Sequence, residues 1–261
     1  GFVSNALATL RHVPAFYAHT LELMAAARRA HVTKQFLLAL TAGTDDSPPM
    51  EMRAHDSVAY VGDMLAFSFK SFSVEADLAK SLLLQPEQEE QDEEESSQPI
   101  STETILSIAV SGLARPLKSR ILQVISTLAR RADESNEVDS DDGLHDDLEE
   151  EGTLICTKLM QIFEICGLLL FYSNAMEKTV EKLKDQDDAE PNLLIESLRE
   201  CLGEGSKAFE ATIRVYSAML EYLAITGDSV ALLVQQLLTK IASVRRNSPG
   251  FEVELSDRIL S

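Results

Sequence analysis

Histidine and cysteine are the residues through which a chain most readily holds a metal or builds a nucleophile, and their spacing here supports neither. The histidines are His12, His19, His31, His55 and His145. No two stand four apart, the separation that places a pair on one helix face around a zinc ion. His12 and His19 are seven apart, but Pro14 between them argues against a shared helical face. His145 lies in "LHDDLEE", where acids could attract a divalent ion, yet a solvated tract does not preorganise a site. Cys156, Cys166 and Cys201 contain no CxxC pair and have no local histidine to take a thiol proton. Cys156 and Cys166 sit in apolar helical surroundings, where cysteine acts as a small hydrophobe.

Phosphate and acid–base chemistry fare no better. "GEGSK" (Gly203 to Lys207) has the glycines of a phosphate loop, but Ser precedes Lys and no strand leads into it. Its glycines read instead as a helix loosened or bent where something packs closely. Carboxylates are plentiful, though almost all lie in two acidic runs where no burial would raise a pKa. The expectation is a protein with no catalytic residue, no cofactor and no metal.

Those acidic runs carry the charge. The formal net charge is -20. Glu87 to Glu95 holds seven acids and Asp133 to Glu151 eleven, and neither contains Lys or Arg. Without them the rest of the chain is close to neutral. Such tracts bury too little apolar surface to offset the entropy of ordering, so they read as solvated linkers. The alternative is a docking tract for a basic partner. Lys and Arg are scattered, with no basic stripe among aromatics, which argues against nucleic acid. An odd cysteine count without a CxxC points to reduced thiols in the cytosol. The most apolar stretch, Ile165 to Met176, is short and bounded by Glu164 and Glu177, so no transmembrane segment is expected.

The elements are helical. Strand alternation and hairpin signals are absent. From Val58, apolar or small residues recur alternately four and three apart: Val58, Gly62, Leu65, Phe69, Phe72, Ala76, Ala79 and Leu83. That is the period of a helix packing along another helix. Asp56 precedes the stripe as an N-cap, its carboxylate accepting from first-turn amides. Gly62 then falls on the packed face, where a missing side chain lets a neighbouring backbone or ring come close. Asp63 turns to solvent.

Further helices are expected over Thr20 to Leu40, Thr102 to Arg131, Ile155 to Leu183, Asn192 to Leu223 and Ser229 to Val244. Phe251 to Leu260 makes a short last one. Pro116 should kink or restart the third, because proline removes a backbone donor and clashes with the preceding turn. The predicted class is all-α with about seven helices. Residues 1–85 form N-terminal helices of the bundle, 86–99 an acidic linker and 100–132 a kinked helix. Residues 133–152 form a second acidic linker and 153–261 the C-terminal helices. The chain lacks an initiator Met and reads as a fragment.

Several strings resemble one family. "HDSVAYVGDMLAF" (His55 to Phe67) is similar to the segment that marks the sixth subunit of the conserved oligomeric Golgi complex. "SGLARPLKSRILQVI", "KLMQIFEICGLLLFYSNAM" and "SLRECLGEGSKAFEATI" follow in the same order, and "RHVPAFYAHTLEL" fits near the start. Ser57 stands where relatives often carry Pro, and Phe67 where they often carry Trp. The resemblance implies an elongated helical rod within a multisubunit tether that captures retrograde vesicles at the cytoplasmic face of the Golgi membrane. It implies peripheral membrane association and no chemical step. The partners it implies are the other subunits of the complex, with SNAREs, Rab GTPases, coat proteins and golgins. A cytosolic helical adaptor whose acidic tracts dock basic partners is the alternative.

Overall fold

The computed structural model describes residues 7, 9, 10, 12–43, 47–83, 101–133, 144–183 and 192–226, with 234, 235, 238 and 239. Every extended element among them is an α-helix, with one short 3-10 helix at Met50–Arg53 and no β-strand. The all-α expectation holds.

Helix α1 spans Pro14–Thr41. Pro14 begins it rather than breaking it, because a first-turn residue has no helical acceptor for an N–H. His12 therefore lies outside the helix and His19 within it. At the other end, the Ala42 and Gly43 N–H groups donate to the Leu38 carbonyl at 2.8 and 2.9 Å. Gly43 has φ +80, and a side-chain carbon there would come 2.6 Å from the Ser47 carbonyl oxygen.

Helix α2 spans Ser57–Leu83. Helix α3 spans Thr102–Asp133, and Ser101 Oγ accepts from the Thr104 N–H at 3.1 Å at its start. Of the two outcomes expected at Pro116, a restart does not occur, since α3 is helical on both sides of it. The missing N–H leaves the Gly112 carbonyl without its helical donor.

Helix α4 spans Leu144–Glu181. It begins eleven residues before the expected start at Ile155, inside the segment read as a linker. Acids in the first turns suit the positive end of the helix dipole, which helps extend it backwards through "LHDDLEEE". Helix α5 spans Leu193–Thr226, capped by Asn192, whose Oδ1 accepts from the Leu194 N–H at 3.1 Å.

Five α-helices are thus described over their length, against the seven expected. Of Ser229 to Val244 only residues 234, 235, 238 and 239 are described, and these are helical. Phe251 to Leu260, the tract 86–99 and residues 134–143 lie outside the described residues.

The chain divides into two compact units, each assembled from separated stretches. The first comprises Gly1–Arg53, Asp63–Leu117 and Tyr172–Ser197. Its core includes a cluster of Leu7, Leu21, Ala25, Ala79 and Ile105, and Phe36 packs its ring 5.7 Å from that of Phe67. Each buried Leu, Ile or Phe among them contributes about 1.5–3 kcal/mol. Across the same unit Arg28 forms an ion pair with Glu75 at 2.6 Å, and the Glu75 side chain is only 3% exposed.

The second unit comprises Ala54–Gly62, Lys118–Phe171 and Leu198–Ser261. Ile155, Cys156 and Tyr216 form a core cluster in it, with Val215, Met219 and Leu220 packed against them. Phe163 and Phe209 stack at 5.8 Å between ring centroids. Lys118 pairs with Glu200 at its surface.

Candidate functional site

The residues singled out from sequence sit along α2 and α3. Asp56 stands before α2, and its Oδ1 accepts from the Ala59 N–H at 3.0 Å, satisfying one of the amides a helix start leaves open. Leu65 and Phe72 are fully buried, whereas Val58, Gly62 and Phe69 are half-buried. Phe69 lies against Tyr172, the ring centroids 5.7 Å apart. Pro116 lies inside α3.

Gly62 requires a correction. A side-chain carbon there would meet Leu168 Cδ1 at 3.7 Å and nothing nearer, an ordinary contact. Among the described residues, no backbone or ring exploits the missing side chain. Asp63 is also not simply solvated: Arg53 Nη1 donates to its Oδ2 at 2.8 Å.

Between helices, the close approaches are at two other glycines. In the first unit, a side-chain carbon at Gly112 of α3 would collide with Thr33 Oγ1 of α1 and lie 3.0 Å from Arg29 Cγ. In the second unit, one at Gly205 of α5 would lie 2.7 Å from Cys166 Sγ of α4. The "GEGSK" reading is met at Gly205, while Gly203 faces open space. Nothing in the local pattern around Gly112 announces its role, since its partner lies some eighty residues earlier in the chain.

Ionisable groups are placed for packing. Burial pushes the Cys166 thiol up to about 12. The Cys201 thiol is also pushed up to about 12, mainly by burial. Such thiols hold almost no nucleophilic thiolate near neutrality. Burial first, then Cys156 beside it, pushes the Tyr216 hydroxyl up to about 12. Among the described residues, no group of three or more His, Cys, Asp or Glu side chains converges as a metal site would require. The half-buried Glu164 carboxyl is held above its ordinary value by burial and then by the negative Asp56.

The stretch Gly152–Glu181 of α4 is long and apolar enough to cross a membrane by length and composition, which the shorter Ile165 to Met176 window did not suggest. Half of its most apolar window is buried inside the chain. Ile155, Leu159, Ile162, Ile165 and Leu169 are among its core-facing residues, and a helix buried in a protein core has this composition too.

Helices, caps and interlocking side chains are what the described residues offer. The family model described as "Conserved Oligomeric Golgi complex subunit 6, C-terminal" matches residues 1–135. A protein of Cryptococcus neoformans named conserved oligomeric Golgi complex subunit 6 is 26% identical over 216 residues, 80% of this chain and 24% of its own. The Homo sapiens protein of that name is 33% identical over 125 residues, 47% of this chain and 18% of its own. The Drosophila melanogaster one is 26% identical over 210 residues, 80% of this chain and 26% of its own. The chain thus spans about a quarter or less of these relatives' length. No solved structure matches it.

Proposed function

Because the chain belongs to the conserved oligomeric Golgi complex subunit 6 family, we propose that it forms part of a non-enzymatic subunit of a Golgi vesicle-tethering complex. It acts by helical scaffolding and partner binding. The family match over residues 1–135 carries this reading, and the all-helical build of the described residues agrees with it.

The work of such a subunit is to hold other proteins at set positions. Long helices suit it because each residue advances the chain by about 1.5 Å along a stiff axis, and α4 alone has 38 residues. The buried thiols fill space between helices and Asp56 caps the start of α2, both of which help to hold long helices in place. In this reading the subunit joins the other members of its complex at the cytoplasmic face of the Golgi membrane and serves intra-Golgi retrograde transport. SNAREs, Rab GTPases, coat proteins and golgins are its further partners.

Affinity purification of the full-length protein tests the reading. The other subunits of one Golgi complex should be recovered with it in near-equal amounts, and cells lacking it should show defective Golgi glycosylation. Recovery without those subunits, together with normal glycosylation, would rule it out.

A further inference from the structure

Helix α1 is apolar on two sides. Its inner side buries Leu21, Ala25, Val32, Phe36 and Ala39. Its outer side repeats the pattern: Phe16, Leu23, Ala30 and Leu37 stand seven residues apart and all are exposed. Phe16 is 64% exposed, Leu23 57% and Leu37 44%. Isolated exposed apolar residues are ordinary, but these four form one ridge along the helix, and Thr20, Ala27, Lys34 and Thr41 fill the alternate positions, so a second helix would meet a half-apolar seam with one cation in it. Ala27 and Ala30, both exposed, keep the middle of this seam low, so a second backbone can come close there.

Charge narrows the choice of partner. The seam runs into a shallow groove of about 490 Å³ beside Gly112, lined by Thr33, Leu37, Leu38 and Thr41 together with Arg29 and Lys34. Among the described residues two cations line it and no acid does. Within α1 the lone acid is Glu22, seven residues before Arg29. Arg28 is already committed to Glu75, while Arg29 and Lys34 are exposed. A two-fold pairing of this face with its own copy would set Arg29 and Lys34 against the same two cations, so the groove selects an anionic partner surface over itself.

We propose that the outer face of α1, from Phe16 to Leu38, docks an amphipathic helix of another polypeptide, with acidic residues flanking its apolar stripe and facing Arg29 and Lys34. The docking goes beyond membership of a tethering complex and does not depend on it. The small residues of the seam set the closeness of the two helices, and the cations set direction and register, as flanking charges do in paired helices.

The probes are two synthetic helical peptides of about four heptads with the same leucine seam, one flanked by Glu and the other by Lys. Binding to the chain is read by fluorescence anisotropy. The Glu-flanked peptide should bind at least ten-fold more tightly than the Lys-flanked one. The double variant R29E/K34E should reverse that order, and L23D should abolish both, with each variant's thermal unfolding matching the parent. Equal binding of the two peptides, no binding of either, or survival of binding in L23D would overturn the proposal. So would a dimer of the chain that L23D dissolves, or capture by vesicles of anionic phospholipid that leaves both peptides unbound. These outcomes would assign the face to a second copy or to a membrane.

Discussion

The Arg28 guanidinium grips the Glu75 carboxylate with two hydrogen bonds, Nη2 to Oε1 at 2.6 Å and Nε to Oε2 at 3.1 Å, joining α1 to α2 through a carboxylate that water scarcely reaches. The hydrogen bonding to the Glu75 carboxylate, more than its charge, holds the Arg28 guanidinium above its ordinary value. Replacing Arg28 with Leu leaves a buried charge without its partner. Because Arg28 itself is 37% exposed, the loss should be about 2–3 kcal/mol, below the figure for a wholly buried pair. The double replacement R28L/E75L should recover most of that loss. Urea unfolding of the three proteins measures both, and a double variant no better than R28L would show that the pair is not coupled.

The glycines of α2, α3 and α5 should rank by the room around them. Gly112→Ala drives a methyl group into Thr33, so it should cost about 1–3 kcal/mol, and Thr33→Ala in that background should return much of it. Gly205→Ala presses on Cys166 and should behave alike, with Cys166→Ala as the relieving change. Gly62→Ala meets only ordinary contact and should gain up to about 1 kcal/mol from better helix propensity. Thermal unfolding gives the order directly. A destabilising Gly62→Ala, or a neutral Gly112→Ala, would contradict the packing described.

How much of this was legible beforehand differs residue by residue. The four–three stripe along α2 located the helix and four of its buried residues, Leu65, Phe72, Ala76 and Ala79. It missed the centre of the buried face, where Val61, Met64, Ser68 and Glu75 lie. A strict seven-residue stripe drifts by about 20° per heptad on a straight helix, and a helix with several neighbours buries more than one stripe. Ser68 was invisible as a core residue because its hydroxyl is satisfied locally, donating to the Met64 carbonyl at 2.8 Å. Glu75 was invisible because its partner lies 47 residues away. Asp56 was readable because a cap is local, and the role of Gly112 was not because the clash that defines it is with Thr33.

Cysteine reactivity should follow burial. Cys156, Cys166 and Cys201 form no disulfide and all are buried. With thiols at about 12, Cys166 and Cys201 hold a thiolate fraction of about 10⁻⁴ at pH 8. Alkylation of the folded chain at that pH should leave both unmodified over hours, and denaturant should release all three at the rate of an open thiol. Mass spectrometry of the time course decides it. Rapid labelling of Cys166 in the folded chain would mean that its contact with Gly205 opens readily.

Asp56 and Glu164 should separate a cap from a charge. Asp56→Ala loses the hydrogen bond to the Ala59 N–H and should cost about 1 kcal/mol. Asp56→Asn keeps a capping oxygen and removes the negative charge near Glu164, so it should cost little or add stability. Glu164 has a folded pKa raised above its unfolded one, so between the two values the folded state binds more protons than the unfolded state. Stability from this group is present below the ordinary carboxylate range and is lost as the pH rises through the raised value. Glu164→Gln should therefore stabilise the chain at pH 7 relative to the parent, with the advantage shrinking as the pH falls towards 4. Unfolding midpoints of the parent and the Gln variant across that window test the sign. An advantage that grows on acidification would mean that Glu164 is stabilised as a carboxylate by a cation, with burial secondary.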